Sequence, residues 1–283
     1  MIRTVRHRYL KLIAIVIAVL LVAVLLDSLV LEPQAIILSV TNLSIRDSRV
    51  PSGKVIKLIH LTDLHISTYG FRESRITELV RSLKPDAVIM TGDYISSPEG
   101  LDPLHMFINE LRASVGNAPI VAILGNWDFW SGVPGEVVKL LREYGIQVLN
   151  NTYVILHVRN CRITFAGFSS FTGTYEISNF SILNEVPNEY PLIVLLHEPS
   201  LIRHVLRHGS NVTLVLAGHC HGGQVKLISA PLFLPEGCEV CYEGACRLDG
   251  VFMYVSRGVG TSLFPIRFFS PPEVAVIYLS SSS

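Results

Sequence analysis

The chain has 283 residues, of which 49% are hydrophobic, so it is long enough to bury a substantial core in one ample domain. Its 23 basic and 23 acidic side chains give a formal net charge of zero. This balance argues against a dedicated polyanion-binding protein, and no nucleic-acid partner is expected.

The N-terminal segment combines basic residues with a long apolar run. Residues 12–26 are uninterrupted apolar residues, and the run resumes after Asp27 and Ser28. Since about 20 apolar residues cross a hydrocarbon core as a helix, residues 1–31 predict a basic cytoplasmic end and a transmembrane anchor. A cleaved signal peptide is the alternative, but the run is long for one and no small-residue cleavage site follows it. The positive-inside rule then predicts a single-pass membrane protein whose remaining chain is extracytoplasmic.

Strand and helix patterns alternate after a mixed segment, residues 32–53, that predicts a tether or a first edge strand. The predicted strands of the alternating part are Val55 to Thr62, Ala87 to Thr91, Ile120 to Leu124, Leu192 to Leu196 and Val212 to Ala217. The predicted helices are Phe71 to Leu83, Pro103 to Ser114, Pro134 to Tyr144 and one that begins near Pro199. Such alternation predicts an α/β fold with an at least partly parallel sheet.

The remaining apolar runs predict strands without intervening helices. They are Gln147 to Phe168, which contains consecutive strands, and the C-terminal runs Val251 to Ser256 and Val274 to Leu279. We therefore expect two packed sheets with helices outside them, in one domain.

Three of the five cysteines lie close together in the sequence, at Cys238, Cys241 and Cys246. In an oxidising compartment they predict one disulfide bridge, with the pairing left open. A structural zinc site is the less favoured alternative, because no second pair or histidine follows at zinc-finger spacing.

Five of the predicted strands end in side chains that bind metals. Period-two geometry predicts that Asp63 and His65, after the first strand, point to the same side. Because strand carboxyl ends form the ligand-binding crevice of an α/β sheet, we expect seven side chains to converge there. They are Asp63, His65, Asp93, Asn126, His197, His219 and His221. This mixture of carboxylate, amide and imidazole suits Mn, Fe or Zn rather than a metal that prefers thiolates.

Each of these motifs alone also has an ordinary structural explanation. A lone Asp-x-His or Gly-Asp is most often turn chemistry, and His197 alone fits a hydrogen-bonded buried histidine. The pair His219 and His221 is more specific, because Gly218 and Gly222-Gly223 let the backbone pass close to a metal centre. Their occurrence together, in this order, favours a functional site.

The motifs resemble those of the calcineurin-like metallophosphoesterases, in particular the membrane-associated branch that carries a Gly-His-Thr-His-Gly-Gly-Gln signature. The matching segments are Asp63-Leu64-His65, Gly92-Asp93, Gly125-Asn126-Trp127-Asp128, His197-Glu198-Pro199 and Gly218-His219-Cys220-His221-Gly222-Gly223-Gln224. The resemblance implies a metallophosphoesterase domain over residues 54–283. It also implies a four-layer αββα sandwich of two mixed β-sheets flanked by helices, preceded by one N-terminal transmembrane helix.

The resemblance further implies a role for each of the seven residues. One divalent metal ion would be held by Asp63, His65 and His221, and a second by Asn126, His197 and His219. Asp93 would bridge the two ions. The resemblance assigns catalytic roles to Asp93 and Asn126. Two ions that share a carboxylate lie about 3.5 to 4 Å apart and activate water as hydroxide. The expected reaction is hydrolysis of a phosphodiester or a pyrophosphate bond.

Two positions depart from the family pattern. Trp127 stands where the family usually has a histidine that stabilises the transition state or protonates the leaving group. An indole cannot act as an acid at neutral pH, so we expect weakened catalysis on esters with poor leaving groups. Stacking on a substrate ring and packing beside Trp130 are the alternatives. Cys220 replaces the usual threonine and is expected to pack rather than to bind metal.

The anchor would hold the site near the bilayer, so a lipid-linked phosphoester is one candidate substrate. Residues 263–269 are aromatic and aliphatic, and predict either docking on a membrane or lipid tail or packing in the core. Arg257 and Arg267 are candidates for phosphate binding or for structural ion pairs. The rival function is a metal-bound sensor or binding module that has lost turnover through Trp127. A nuclease is disfavoured because the composition lacks a basic surface.

Overall fold

The computed structural model describes residues 2–35, 37–208 and 211–281, and the side chains of residues 2–6, 37–44 and 46 are outside the description. Residue 1 of the predicted anchor segment and residue 36 of the predicted tether therefore lie outside the described residues. The helices of the described part are α1 Ile2–Leu26, α2 Glu32–Gln34, α3 Phe71–Leu83, α4 Leu101–Val115, α5 Asn126–Trp130, α6 Pro134–Glu143, α7 Phe171–Thr174 and α8 Ile202–His208.

Its strands are β1 Ile37–Arg46, β2 Val55–Leu61, β3 Ala87–Met90, β4 Ile120–Ala122, β5 Gln147–Val148, β6 Thr152–Val158, β7 Cys161–Gly167, β8 Leu192–Leu195, β9 Val212–Ala217, β10 Lys226–Leu227, β11 Ala230–Pro231, β12 Gly244–Leu248, β13 Val251–Val255 and β14 Glu273–Ser280.

The N-terminal helix is long and apolar enough to cross a membrane. Helix α1 continues through a π-helical turn, Asp27–Leu31, into α2. The candidate span His7–Gln34 has 28 residues, about 42 Å at 1.5 Å per residue, which exceeds a hydrocarbon core of roughly 30 Å. Only 6% of its most apolar window is buried, so it is not the core helix of a globular domain. These properties are consistent with the predicted transmembrane helix.

Two mixed six-stranded sheets form the centre of the fold. The first has the order β1-β14-β2-β3-β4-β5 and the second has the order β12-β13-β9-β8-β7-β6. Strands β2 to β5 are parallel neighbours in the first sheet, and β7, β8 and β9 are parallel neighbours in the second. The carboxyl ends of β2, β3, β4, β8 and β9 lead into the loops that carry the candidate ligands.

Alternating side chains of the central strands bury both faces of the first sheet. In β2, Ile56 and Leu58 pack between the two sheets, whereas Ile59 and Leu61 pack under the outer helices. This double burial explains why the strand reads as a continuous apolar run in the sequence.

Helices cover the outer faces of both sheets. Ile76 of α3, Phe107 of α4 and Val137 of α6 pack on the first sheet. Ile202 and Val205 of α8 pack on the outer face of the second sheet. The predicted four-layer αββα sandwich of two mixed sheets flanked by helices is therefore confirmed.

Candidate metal centre

The candidate ligands after β2 lie on a turn and not on the strand. Strand β2 ends at Leu61, and Asp63 and His65 have φ angles of 52° and 44°. The prediction that period-two strand geometry orients these two side chains is therefore wrong. Their backbones are held by the neighbouring loop, because the Asp63 N–H donates to the Gly92 carbonyl at 2.9 Å and the His65 N–H donates to the Asp93 carbonyl at 3.0 Å.

Left-handed backbone conformations recur at other candidate ligands. Asp93, His219 and His221 have φ angles of 57°, 71° and 49°. A non-glycine residue in a sparsely populated region costs about 1–3 kcal/mol and persists only where its surroundings hold it. Such residues cluster at functional sites, so this backbone strain favours a functional role for the loops.

Two glycines let the loops after β3 and β4 approach each other closely. A Cβ atom at Gly92 would lie 2.2 Å from the Gly125 nitrogen. A Cβ atom at Gly125 would lie 2.3 Å from Oδ1 of Asp93 and 2.6 Å from Cε1 of His197. Only glycine fits at either position, which explains the glycine before each of these candidate ligands.

The structure brings Asp63, His65 and His221 into one buried cluster. Their ligand atoms lie within 4.8 Å of one another, as a metal ion would require. The Nε2 atoms of His65 and His221 are 3.2 Å apart. Nε2 of His221 also lies 3.5 Å from Oδ1 of Asp63.

A second buried cluster contains Asp93, His197 and His219, whose ligand atoms also lie within 4.8 Å of one another. Oδ1 of Asn126 lies 2.9 Å from Nε2 of His197 and 2.9 Å from Nδ1 of His219. Every residue of the predicted set of seven is thus brought to one of two adjoining clusters.

Asp93 connects the two clusters. Its Oδ2 atom lies 3.5 Å from Nε2 of His65 and 3.3 Å from Nε2 of His197. Its other oxygen, Oδ1, accepts the backbone N–H of Trp127 at 2.8 Å. The donor set of carboxylates, imidazoles and one amide fits two divalent cations that share this carboxylate.

Hydrogen bonds on the far side of the imidazoles orient the rings and select their tautomers. Nδ1 of His197 lies 2.7 Å from the Thr91 carbonyl, and Nε2 of His219 lies 2.8 Å from the Glu236 carbonyl. A carbonyl only accepts, so each of these nitrogens carries a proton, and when the ring is neutral the opposite nitrogen presents a lone pair to the site. His219 therefore faces the centre with Nδ1, whereas His197 faces it with Nε2.

Burial and mutual charge separate the pKa values of the clustered groups. Burial lowers the pKa of His65 to about 4 and raises the pKa of Asp63 to about 7. For His197, burial is outweighed by Asp93 and Asp63, which raise its pKa well above the ordinary value. For Asp93, burial is outweighed by His197 and other histidines, which lower its pKa. Negative charge is therefore concentrated on the carboxylate between the clusters.

Asp128 belongs to one of the matching motifs, although the sequence predicts no role for it. Its buried carboxylate accepts the backbone N–H groups of Asp93, Tyr94 and Gly125 at 2.9, 2.8 and 2.9 Å. It therefore holds the two loops that carry Asp93 and Asn126. An acidic residue at the third position of a helix is a known capping signal, and this signal could have identified it.

One bridge among the three clustered cysteines is confirmed, and a second bridge, to Cys220, was not predicted. Cys220 is bonded to Cys238, and Cys241 is bonded to Cys246. The chain between Cys220 and Cys238 folds back over the loop that carries His219, because His219 donates a hydrogen bond to the Glu236 carbonyl. Cys220 packs away from the centre as expected, but as a disulfide partner.

Of the two C-terminal arginines, Arg257 forms a structural ion pair, whereas Arg267 is held by backbone carbonyls. Arg267 is fully buried, and its guanidinium donates to the carbonyls of Gly260, Ser270 and Arg257 at 3.0, 2.7 and 2.9 Å. Arg257 pairs with Glu273 at 2.8 Å. Both side chains therefore fix the loops beside the centre.

Two clefts of different character meet at the centre. A cleft of about 400 Å³ has an apolar wall, and its lining residues include Trp127, Trp130, Leu232, Phe233, Leu263 and Phe264 beside Asp93, Asn126, His219 and His221. A cleft of about 830 Å³ has a more polar wall that includes His65, Ser67, Thr68, Arg72, Ser96 and Gln34. Trp127 and the Leu263-Phe264 pair line both, so they lie between the apolar and the polar cleft.

Comparisons with known proteins point to one family. A family profile described as calcineurin-like phosphoesterase matches residues 56–223. The chain is 30% identical over 256 residues to an uncharacterized metallophosphoesterase of Aquifex aeolicus, covering 85% of this chain and 91% of the relative. It is 30% identical over 263 residues to the uncharacterized metallophosphoesterase YkuE of Bacillus subtilis, covering 89% and 88%. It is 26% identical over 246 residues to a transmembrane protein with metallophosphoesterase domain from Danio rerio, covering 80% and 54%.

Proposed function

Since this chain belongs to the calcineurin-like phosphoesterase family, we propose that it hydrolyses a phosphodiester or a pyrophosphate bond at a centre for two divalent metal ions. One observation carries the proposal. Oδ2 of Asp93 lies 3.5 Å from His65 in the first cluster and 3.3 Å from His197 in the second. A carboxylate between two donor clusters can bind both ions of a two-metal site.

In this proposal, each cluster holds one ion. Asp63, His65 and His221 would hold the first ion, Asn126, His197 and His219 would hold the second, and Asp93 would contribute to both. Two such ions supply a lowered pKa for a bound water and positive charge for the phosphoryl oxygens. Mn, Fe and Zn all suit this donor set.

The chain's own residues preorganise the site. The Thr91 and Glu236 carbonyls hold the rings of His197 and His219, and Asp128 holds the Asp93 loop. The leaving group must depart without a side-chain acid at position 127, because an indole cannot give up a proton at neutral pH. A pyrophosphate or an activated diester, whose leaving group needs little protonation, fits this centre better than an alkyl ester.

The two clefts support an amphiphilic, lipid-linked substrate. An apolar tail fits the cleft between Phe233 and Phe264, and a polar head group fits the cleft beside Arg72. The scissile phosphorus would then lie between them, at the metals. Gln34, at the end of the membrane-spanning segment, lines the polar cleft together with His65, so the centre lies close to the anchor.

The proposed topology is a single-pass protein with its catalytic domain outside the cytoplasm, as the basic N-terminus favours. The division into an anchor of residues 1–31, a segment of residues 32–53 and a catalytic domain of residues 54–283 is part of the same proposal. Strand β1 pairs in parallel with β14, so a catalytic fragment should retain it.

The direct test is hydrolysis by the full-length protein in detergent. The protein is stripped with a chelator, reloaded with Mn²⁺ and assayed on bis(4-nitrophenyl) phosphate, with Asp93→Asn and His221→Ala as variants. Loss of a residue that only hydrogen-bonds to a metal ligand lowers metal affinity or activity about 10–100-fold, so we expect larger losses of activity for these variants. His157→Ala, an exposed histidine on β6, is the matched control and should keep full activity. Metal binding without turnover would favour the sensor or binding module instead.

The lipid link needs its own comparison. The same pyrophosphate is presented with a long alkyl tail and without one to the full-length protein in nanodiscs. We expect a higher kcat/KM for the tailed compound, and equal values would remove the lipid link while leaving the hydrolase proposal intact.

A further inference from the structure

We propose that the metal-centre end of the domain docks on the bilayer that holds the N-terminal helix, through exposed apolar loop tips. These residues, called the apolar rim below, are Leu227, Ile228, Leu232, Phe233, Leu263 and Phe264. The proposal concerns how the domain sits on the membrane, and it stands whether or not the centre hydrolyses a lipid.

The side chains of the apolar rim are highly exposed. Ile228 is 78% exposed, Leu263 75% and Phe264 68%. Isolated apolar residues on a surface are ordinary, but large contiguous apolar patches mark sites of interaction with proteins or membranes. Leu232, Phe233, Leu263 and Phe264 of the rim line the same apolar cleft, and Leu227 and Ile228 lie on the β10–β11 hairpin that precedes Leu232.

The backbone holds the two most exposed rim residues in a costly conformation. Ile228 and Leu263 have φ angles of 64° and 56°, a region that glycine adopts freely and a β-branched residue strongly disfavours. Neither side chain gains buried contacts in return. An apolar partner outside the chain would explain why an isoleucine and a leucine occupy these turns.

Hydrogen bonds tie the rim to the end of the N-terminal helix. The Arg267 N–H donates to the Ser28 carbonyl at 3.0 Å, and the Phe269 N–H donates to Oε2 of Glu32 at 2.9 Å. The Ser270 N–H donates to the other oxygen of Glu32. Residues 267–270 follow Leu263 and Phe264 closely in the chain, so the rim lies next to the point where the helix leaves its apolar span.

These contacts favour a lipid surface as the partner. The rim continues from a helix that is itself long and apolar enough to cross a bilayer. Its members are aliphatic residues and phenylalanine on separate loop tips, which suit shallow insertion among acyl chains. Docking would open the apolar cleft between Phe233 and Phe264 toward the bilayer, so a lipid tail would reach the centre without crossing water.

Fluorescence quenching in nanodiscs tests this docking. The chain has two tryptophans, Trp127 and Trp130, and both line the apolar cleft. In a background with both changed to phenylalanine, Ile228→Trp and Phe264→Trp place a reporter on the rim. Val55→Trp is the matched control, because Val55 is 46% exposed. It begins β2, about 20 Å at 3.3 Å per residue from the end of that strand that leads into the metal centre.

Full-length protein is reconstituted with phosphatidylcholine brominated on its acyl chains, without added metal, so failed hydrolysis does not bear on the result. We expect the rim reporters to lose most of their fluorescence relative to unbrominated nanodiscs, and Val55→Trp to lose little. Rim reporters quenched no more than Val55→Trp would overturn the proposal. The unsubstituted chain gives a second measurement through its native tryptophans, and no substitution can disturb its folding. Native tryptophans that are not quenched would also overturn the proposal.

Discussion

The carboxylate of Asp128 accepts the backbone N–H of Asp93 at 2.9 Å. The same side chain accepts the N–H groups of Tyr94 and Gly125, so one buried group holds the loops after β3 and β4 together. Burial, with the charge of Asp93, raises the pKa of Asp128 to about 7. The position of the Asp93 carboxylate therefore depends on a residue outside the candidate ligand set.

Asp128→Asn is expected to lower both stability and activity. The amide places an NH₂ group where a carboxylate oxygen accepts, which leaves a buried N–H without its partner at a cost of about 1–3 kcal/mol. The free energy of unfolding, measured by denaturant titration, should fall by that amount, and turnover of the chromogenic diester should fall with it. Asp102→Asn, an exposed acid at the start of α4, is the control. Equal stability of the two variants would contradict the role given to Asp128.

Metal binding is expected to weaken as the pH falls through about 7. The pKa of Asp63 is about 7 in the fold, above its ordinary value of 3.8, and the pKa of His197 is raised as well. Between pH 3.8 and about pH 7, the two pKa values of Asp63, the folded protein without metal therefore holds more protons than the unfolded chain. The stability that Asp63 contributes is present at low pH and is lost as the pH rises through about 7.

A bound cation must displace those protons, so its stabilising effect has the opposite pH dependence. The rise in Tm on adding Mn²⁺ should be larger at about pH 8 than at about pH 5.5. His65, with a pKa of about 4, is already neutral in both conditions and adds nothing to the difference. A rise in Tm that is the same at both pH values would show that no proton is displaced.

The location of the site was predictable from the sequence because each candidate ligand follows an apolar run. The runs ending before Asp63, Asp93 and His219 became β2, β3 and β9, and the carboxyl ends of parallel strands meet at one end of a sheet. The alternation of strand and helix likewise predicted the layers, because every strand that is buried on both faces reads as a continuous apolar segment.

The local geometry was not predictable in the same way. The left-handed backbones of Asp63 and His65 depend on hydrogen bonds to the loop at Gly92 and Asp93, about thirty residues away in the chain, and no local pattern encodes them. The pairing of Cys220 with Cys238 likewise depends on how the chain between them folds back over the loop that carries His219.

The Cys220–Cys238 bridge should contribute more to stability than the second bridge. Its partners are 18 residues apart, against 5 for Cys241–Cys246, so loop closure predicts about 3 kcal/mol against about 2 kcal/mol. Cys238→Ser should therefore lower the free energy of unfolding more than Cys246→Ser. It should also lower metal affinity, because the bridge holds the chain whose Glu236 carbonyl accepts from His219. Unchanged metal affinity in Cys238→Ser would show that the bridge does not support the metal centre.

Trp127→His is expected to restore an acid beside the centre. The Trp127 ring lies 5.7 Å from the His65 ring and lines both clefts. General acid catalysis is worth about 10²–10⁴-fold where the leaving group needs a proton, so kcat on a phenyl phosphodiester should rise more than kcat on its 4-nitrophenyl analogue. Trp130→His, the neighbouring indole at 5.4 Å from Trp127, is the control. A ratio of the two rates that does not change in Trp127→His would count against a leaving-group role for this position.

Anomalous diffraction from crystals of the Mn²⁺-loaded full-length protein tests the two-metal assignment most directly. We predict two peaks about 3.5–4 Å apart, with Oδ2 of Asp93 bound to both. One peak should lie among Asp63, His65 and His221, and the other among Asn126, His197 and His219. A single peak, or two peaks that Asp93 does not share, would contradict the account.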